Sequence, residues 1–120
     1  KINDEYGHAG GDDVLVQLAQ LLLAQLRSID LPARIGGEEF AVLMPGTPLA
    51  EAVTAAERLR LALQTTAVAL RDGRAVHVTA SVGLAQWGPG DADIEATLKR
   101  ADAALYRAKA QGRNQVCIED

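Results

Sequence analysis

Two glutamates, Glu38 and Glu39, stand side by side after Gly36-Gly37 and before Phe40. The glycines can take the positive φ angles of a tight hairpin turn, and they leave their backbone N–H groups open to close approach by a ligand. Backbone amides can contact phosphate oxygens and carboxylates can contact Mg²⁺, so this pattern suits a metal-bound triphosphate. Adjacent carboxylates also repel each other, and a solvated hairpin with two surface glutamates fits the same residues. The residues alone leave both interpretations open.

Three further polar groups could bind a ligand, and each has an ordinary structural interpretation. Asp12 can cap a helix. Lys109 and Arg113 have the i, i+4 spacing of a cationic cluster at a helix end, although Gly112 lies between them. Such a cluster is also expected on a solvated helix face, where it complements the helix dipole. Arg27 and Asp30 can be a helix-end arginine beside a turn aspartate.

Three helices are predicted to position these residues. The first runs from about Asp13 to Arg27 with Asp12 or Asp13 as its cap, the second begins at Thr47-Pro48, and the third closes near Gly112. Each helix has apolar residues at helical spacing that predict its buried face. These residues are Leu15, Leu18, Leu22 and Leu26 in the first helix, Val53, Ala56, Leu59 and Leu63 in the second, and Ile94, Leu98, Ala101, Leu105 and Ala108 in the third.

Five short strands complete the predicted fold. Residues 33–35 and 40–44 flank the Gly36-Gly37 turn. Residues 68–70 and 75–85 flank Asp72-Gly73, which is a strong hairpin signal, and 116–118 form the last strand. Helices and hairpins in this order predict an α/β fold, an α+β sandwich whose largely antiparallel central sheet is flanked by helices.

Composition limits the function classes. The 120 residues fit one domain, and 48% of them are hydrophobic, which argues against wholesale disorder. The net charge of −4 argues against a protein that coats DNA or RNA, whereas nine of the twelve basic residues are arginine, which suits contacts with phosphate or carboxylate. One cysteine rules out an intrachain disulfide, and no apolar run has the length of a membrane span. We expect a cytoplasmic domain without direct membrane contact.

Residues 36–40 resemble the signature of the GGDEF family of diguanylate cyclases, in its common Glu variant. Residues 2–12 are similar to the family's segment before its first long helix, and residues 33–37 to its approach to the hairpin. Residues 81–85 and 101–114 are similar to its two C-terminal blocks. Several independent motifs occur in the family's order over essentially the whole chain, so the resemblance is specific. It implies one nucleotidyl-cyclase-like GGDEF domain over residues 1–120.

The resemblance implies a reaction in which two domains, each holding one GTP, face each other. The 3′-hydroxyl of each GTP attacks the α-phosphate of the other, which yields cyclic di-GMP and two pyrophosphates. Glu38 is then a metal ligand that assists deprotonation of the hydroxyl, and Glu39 is a second carboxylate beside the metal. Mg²⁺ or Mn²⁺ suits such oxygen ligands. The implied partners are GTP, cyclic di-GMP and a second copy of the chain.

The resemblance also assigns binding residues. Asn3 and Asp12 match the family's guanine-binding pair, and a carboxylate there prefers guanine because adenine lacks the matching donors. Lys109 and Arg113 match the contacts to the β- and γ-phosphates, and Gly36 and Gly37 lie beside the phosphates. Three further residues match the family's inhibitory site, where the product binds away from the active site: Arg27, Asp30 and Arg58.

In the family, a core strand that carries an indispensable Asp metal ligand precedes the segment that begins here at Lys1. The resemblance therefore implies an N-terminally truncated domain with a further Asp ligand upstream, and we expect the 120 residues alone not to make cyclic di-GMP. A catalytically inactive cyclic di-GMP receptor is the alternative function. A purely structural or interaction domain is the third possibility.

Overall fold

The antiparallel strands that flank the Gly36-Gly37 turn signal are present in the computed structural model, which describes residues 2–36 and 39–119, without the side chains of residues 2–6 and 8. Three helices and six strands are present within these residues. The elements in chain order are α1 Ile2–Gln25, β1 Leu31–Gly36, β2 Glu39–Leu43, α2 Leu49–Thr65, β3 Val68–Ala69, β4 Ala75–Val76, β5 Val82–Ala85, α3 Ile94–Ala110 and β6 Val116–Glu119. The chain divides into two compact units, Lys1–Gly46 with Ala62–Val78 and Thr47–Leu61 with Thr79–Asp120. No helix among the described residues is long and apolar enough to cross a membrane.

Helix α1 begins eleven residues earlier than predicted, so the expected cap at Asp12 or Asp13 is wrong. Both aspartates lie inside the helix, and the chain breaks its helical course at Gly7, with φ 74° and ψ 173°. Gly10 and Gly11 favour a turn by propensity, but both are buried in helical conformation. Tertiary packing therefore overrides the local preference of the glycines.

The first unit packs α1 against the β3–β4 hairpin. Its core consists of Val14, Val68 and Leu70, with Leu18, Val76 and Val78 packed against them. Polar contacts add to this packing. The amide of Gln17 donates to the Ala69 carbonyl oxygen and accepts from the Ala69 backbone N–H, so it pairs with β3 as a neighbouring strand would.

β1 and β2 form an antiparallel pair that runs from Leu31↔Leu43 to Gly36↔Glu39, with a shift of register between Arg34 and Gly36. β3 and β4 are also antiparallel. The two predicted hairpins are therefore confirmed, because the turn signals that specify them are local.

The predicted strand 75–85 is wrong in its middle. Residues 77–81 carry no strand assignment, and the two ends pair with different partners, since β4 pairs with β3 and β5 pairs with β6 in parallel. The alternating valines of this segment predicted one continuous strand. Periodicity alone does not show a change of partner within an apolar run.

The second unit places α3 across β5 and β6. Ala104 and Ala108 are fully buried, and Gly83 lets β5 approach the α3 backbone closely. Ile94 and Leu98, which were predicted to be buried, are 50% and 43% exposed. The close approach to β5 requires small side chains, so the buried face of α3 is turned toward its alanines.

Candidate functional site

The structure describes the β1–β2 hairpin up to the last paired residue on each strand. Gly36 ends β1 and Glu39 begins β2, and these two residues form the last pair of the ladder. Glu39 is half-buried. Gly37 and Glu38, both predicted site residues, lie outside the described residues. Only these two residues separate Gly36 from Glu39 in the sequence, as a tight hairpin connection requires.

The donor chemistry of this tip fits a divalent metal. Glu39 offers carboxylate oxygens, which Mg²⁺ and Mn²⁺ prefer as ligands. Within residues 2–36 and 39–119, no group of three or more His, Cys, Asp or Glu could hold a metal ion. The metal role of Glu38 and Glu39 therefore stays a prediction.

Asp12 and Asp13 have different environments although they are adjacent on α1. Asp12 is exposed. The Asp13 carboxylate accepts from the Arg71 backbone N–H at 2.8 Å and from Nη2 of the Arg71 side chain at 2.8 Å. These hydrogen bonds lower the pKa of Asp13. Asp13 thus fastens α1 to the β3–β4 hairpin, whereas Asp12 presents its carboxylate at the surface, as a guanine-binding residue would.

The other predicted guanine-binding residue, Asn3, lies in the helical segment before the break at Gly7. Its side chain is outside the description. The backbone of this segment is helical. Asn3 and Asp12 therefore lie on two helical segments of α1 that Gly7 separates.

Lys109 and Arg113 lie near the C-terminal end of α3. Lys109 precedes the last helical residue, and Arg113 lies beyond it. Lys109 belongs to the last turn, and Arg113 follows the cap residue Gln111 and Gly112. The Arg113 backbone N–H donates to the Ala108 carbonyl oxygen at 2.9 Å, and the Gly112 backbone N–H donates to the Lys109 carbonyl oxygen at 3.5 Å. These two bonds form a Schellman motif, which satisfies the last carbonyls of the helix. The two cations therefore share one end of α3 without sharing a continuous helical face.

The turn after Arg113 is held by residues that the sequence analysis did not single out. Arg60 of α2 donates from Nη1 to the Asn114 Oδ1 at 2.9 Å. The Ser81 hydroxyl accepts from the Asn114 backbone N–H at 3.1 Å. No pattern in the sequence connects Arg60 to Asn114.

Arg27 and Asp30 contact each other at the end of α1. Nη2 of Arg27 lies 2.8 Å from Oδ1 of Asp30, and the Arg27 backbone N–H donates to Oδ2 at 2.9 Å. The Asp30 side chain is 1% exposed and that of Arg27 is 47% exposed. The hydrogen bond from the Arg27 side chain lowers the pKa of Asp30. The pair forms a local motif with an accessible guanidinium, and Arg58 is exposed on α2.

An ion pair between Asp91 and Arg100, which the sequence did not predict, organises the loop between β5 and α3. Asp91 accepts from Nη2 of Arg100 at 2.6 Å, from the Gly88 N–H at 3.0 Å and from the Thr97 hydroxyl at 3.0 Å. The Arg100 hydrogen bond, followed by that of Gly88, lowers the pKa of Asp91 to about 2. Both residues line a cavity of about 560 Å³ together with Trp87.

The structure brings Arg27 into contact with Asp30, and it places Lys109 and Arg113 near the same end of α3. Asp12, Gly36 and Glu39 belong to the first unit, and Lys109, Arg113 and Arg58 to the second. The first three residues therefore belong to a different unit from the last three. The joint role of these residues in one nucleotide site or one inhibitory site stays a prediction.

Comparison with known proteins identifies relatives over almost the whole chain. The sequence profile described as "Diguanylate cyclase, GGDEF domain" matches residues 1–115. The response regulator PleD of Caulobacter vibrioides is 50% identical over 118 residues, which are 97% of this chain and 26% of PleD. Diguanylate cyclase A of Treponema denticola is 38% identical over 117 residues, 98% of this chain and 31% of that protein. The chain thus spans about a quarter to a third of the length of these two relatives.

Solved structures agree with this result. The GGDEF domain of YfiN from Pseudomonas aeruginosa superimposes with a TM-score of 0.90 at 40% identity, over 99% of this chain and 69% of that one. The GGDEF domain of DgcB from Caulobacter crescentus, solved in complex with c-di-GMP, gives 0.91 at 32% identity, over 98% of this chain and 70% of that one. The predicted α/β fold class is confirmed.

Proposed function

This chain belongs to the GGDEF family of diguanylate cyclase domains, and we propose that it serves its natural protein by condensing two GTP into cyclic di-GMP. The observation that carries this proposal is the intact Gly-Gly-Glu-Glu-Phe sequence, closed by the Gly36↔Glu39 pair, within a family match over residues 1–115. We assign residues 1–120 to a single GGDEF domain.

Each half-reaction forms one bond and breaks one. The 3′-hydroxyl oxygen of one GTP bonds to the α-phosphorus of the other, and the bond from that phosphorus to the bridging oxygen breaks, which releases pyrophosphate. Two such steps close the ring, so two copies of the chain face each other as a homodimer. The GTP supply places this chemistry in the cytoplasm.

The chain's own residues bind and orient the nucleotide. Lys109 and Arg113 contact the β- and γ-phosphates, and Asp12 with Asn3 accepts and donates at the guanine edge. Glu38 and Glu39 would hold Mg²⁺ or Mn²⁺, which would offset negative charge on the phosphate oxygens. Glu38 also accepts the proton of the attacking hydroxyl. Positioning and charge neutralisation are the main contributions to catalysis of phosphoryl transfer.

Product inhibition is the second part of the proposal. The half-exposed guanidinium of Arg27 is held by the buried Asp30, so it is oriented toward solvent at a fixed place. Arginine contacts phosphate with paired N–H donors, and cyclic di-GMP offers both phosphates and guanine edges. Arg27, Asp30 and Arg58 would bind it and stop turnover. The same residues support the alternative function, a cyclic di-GMP receptor without catalysis.

The test incubates the natural gene product with GTP and Mg²⁺ and separates the products by chromatography. We expect cyclic di-GMP and pyrophosphate, and we expect Glu38→Gln to abolish turnover while binding of cyclic di-GMP remains. Glu51→Gln changes an exposed glutamate of α2 in the same way and is the matched control. A folded protein that binds cyclic di-GMP but makes none indicates the receptor. A folded protein that binds neither nucleotide contradicts both functions.

A further inference from the structure

Arg113 and Asn114 both have left-handed backbone conformations, with φ angles of 64° and 49°. They follow Gly112, whose φ is 119°, so three consecutive residues have positive φ. Side chains with a Cβ rarely adopt this region, and two adjacent ones persist only where surrounding contacts hold them. The conformation of this turn therefore has to be explained by its contacts.

Asn114 receives these contacts at three atoms. Its N–H donates to the Ser81 hydroxyl at 3.1 Å, and its Oδ1 and carbonyl oxygen accept from Nη1 of Arg60 at 2.9 and 3.4 Å. On the following residue, the Gln115 carbonyl accepts from the Val82 N–H at 2.9 Å. The turn is thus fastened to α2 through Arg60 and to the start of β5 through Ser81.

Arg60 is itself fixed before it reaches Asn114. Its Nε donates to Oε1 of Glu57 at 2.7 Å and its Nη2 donates to Oε2 at 3.2 Å, which is a bidentate pair. The Arg60 side chain is 14% exposed. The hydrogen bonds that Arg60 donates to the Glu57 carboxylate raise the pKa of Arg60. The pair with Glu57 restricts the side-chain conformation of Arg60, so its Nη1 meets Asn114 from a defined position on α2 and acts as a fixed point.

We propose that Glu57, Arg60, Ser81 and Asn114, named here the turn clamp, position Arg113 for the triphosphate. The clamp holds the backbone directly after Arg113, and the hydrogen bonds at the end of α3 hold it directly before Arg113. The Arg113 side chain lies outside both sets of contacts. In the described part of the chain, the contacts of this turn involve the Arg113 backbone and not its guanidinium. Arg60 is therefore a positioning residue, which acts on GTP only through Arg113. This inference rests on the proposed binding of GTP.

Two kinds of variant separate the backbone from the side-chain contribution. Asn114→Gly keeps the positive φ accessible but removes Oδ1, whereas Asn114→Ala removes both. Arg60→Ala removes the fixed point, and Ser81→Ala removes one bond of the clamp without creating a large void. Ser81→Thr keeps the hydroxyl and should restore wild-type behaviour. Ser81→Ala and Asn114→Gly keep the proposal testable if Arg60→Ala does not fold.

The decisive measurement is a double-mutant cycle on nucleotide affinity, made with the natural gene product. The probes are GMP and a GTP analogue with a methylene bridge between the α- and β-phosphorus. Misplacement of one phosphate contact should weaken binding of the analogue about tenfold in Arg60→Ala, Asn114→Gly and Arg113→Ala, while GMP affinity stays at the wild-type value. Adding Arg60→Ala to Arg113→Ala should cause no further loss.

The outcomes distinguish this inference from the function on which it rests. If the wild-type protein binds neither nucleotide, the proposed function fails. If Arg113→Ala weakens the analogue but Arg60→Ala does not, the proposed function stands and the turn clamp is overturned. Losses that multiply in the double variant, or an equal loss of GMP affinity, show that Arg60 acts on the structure in general and also overturn the inference.

Discussion

Gly83 of β5 and Ala101 of α3 are in backbone contact, because a Cβ at residue 83 would lie 2.2 Å from the Ala101 carbonyl oxygen. The same Cβ would lie 2.3 Å from the Leu105 nitrogen. Neither backbone atom can move alone, so any side chain at residue 83 must displace α3 from β5. Since α3 carries Lys109 and Arg113 at its end, this contact fixes their distance from the sheet.

Gly83→Ala should therefore destabilise the protein by about 1–3 kcal/mol or more, as overpacking of a close contact does. Urea unfolding at equilibrium measures the change. Gly88→Ala is the matched control, because a Cβ at Gly88 meets no atom within 4 Å. Equal stability of the two variants would contradict the close approach of β5 to α3.

The ion pair of Asp91 and Arg100 predicts a pH dependence of stability. Hydrogen bonds lower the pKa of Asp91 from 3.8 to about 2 in the folded protein. The unfolded chain therefore takes up this proton at a higher pH than the folded protein does. The stabilisation is fully present above pH 4 and is lost as the pH falls through 2.

We expect Asp91→Asn to unfold at lower temperature than the wild type at pH 6, and the difference should shrink as the pH falls from 4 to 2. Thermal melts between pH 2 and 6 measure it. A difference that stays constant over this range would show that the Asp91 charge does not contribute and that the variant acts through packing.

Asp12 and Asp13 should differ in what their loss affects. Asp13→Asn weakens the bidentate contact with Arg71 and should lower the melting temperature. Asp12→Asn should leave the melting temperature almost unchanged, since Asp12 is exposed, and should reduce the preference for GTP over ATP about tenfold or more. Competition binding with both nucleotides measures the preference. A melting temperature that falls equally in both variants contradicts this division.

The Arg27 side chain should contribute to product inhibition through its geometry as well as its charge. Arg27→Lys keeps the charge but lacks the planar pair of parallel N–H groups with which a guanidinium binds one phosphate or carboxylate. We expect inhibition by added cyclic di-GMP to weaken in Arg27→Lys and to disappear in Arg27→Ala, with the initial rate unchanged. Arg74→Lys and Arg74→Ala are matched controls, because Arg74 also pairs with a nearby aspartate, Asp72, at an exposed hairpin. Inhibition that persists in Arg27→Ala would remove this residue from the inhibitory site.

The sequence was informative where the structure depends on neighbouring residues. Gly36-Gly37 and Asp72-Gly73 predicted their hairpins because turn conformation is a property of a few adjacent residues. Helix propensity misplaced the start of α1, since buried Gly10 and Gly11 are helical only through packing. The contact of Arg60 with Asn114 joins residues 54 positions apart. No local pattern encodes such a pair, so the turn clamp became visible only in the structure.

The backbone conformation of Gly7 affects how Asn3 and Asp12 could bind one base together. Its φ of 74° and ψ of 173° lie in a region that is essentially restricted to glycine. The direction of the short segment that carries Asn3, relative to the long rod that carries Asp12, is thus set by two torsion angles at one residue. The two segments would therefore change direction about a single residue, Gly7. A substitution at residue 7 would change the separation of Asn3 and Asp12 while leaving the helical conformation of both segments intact.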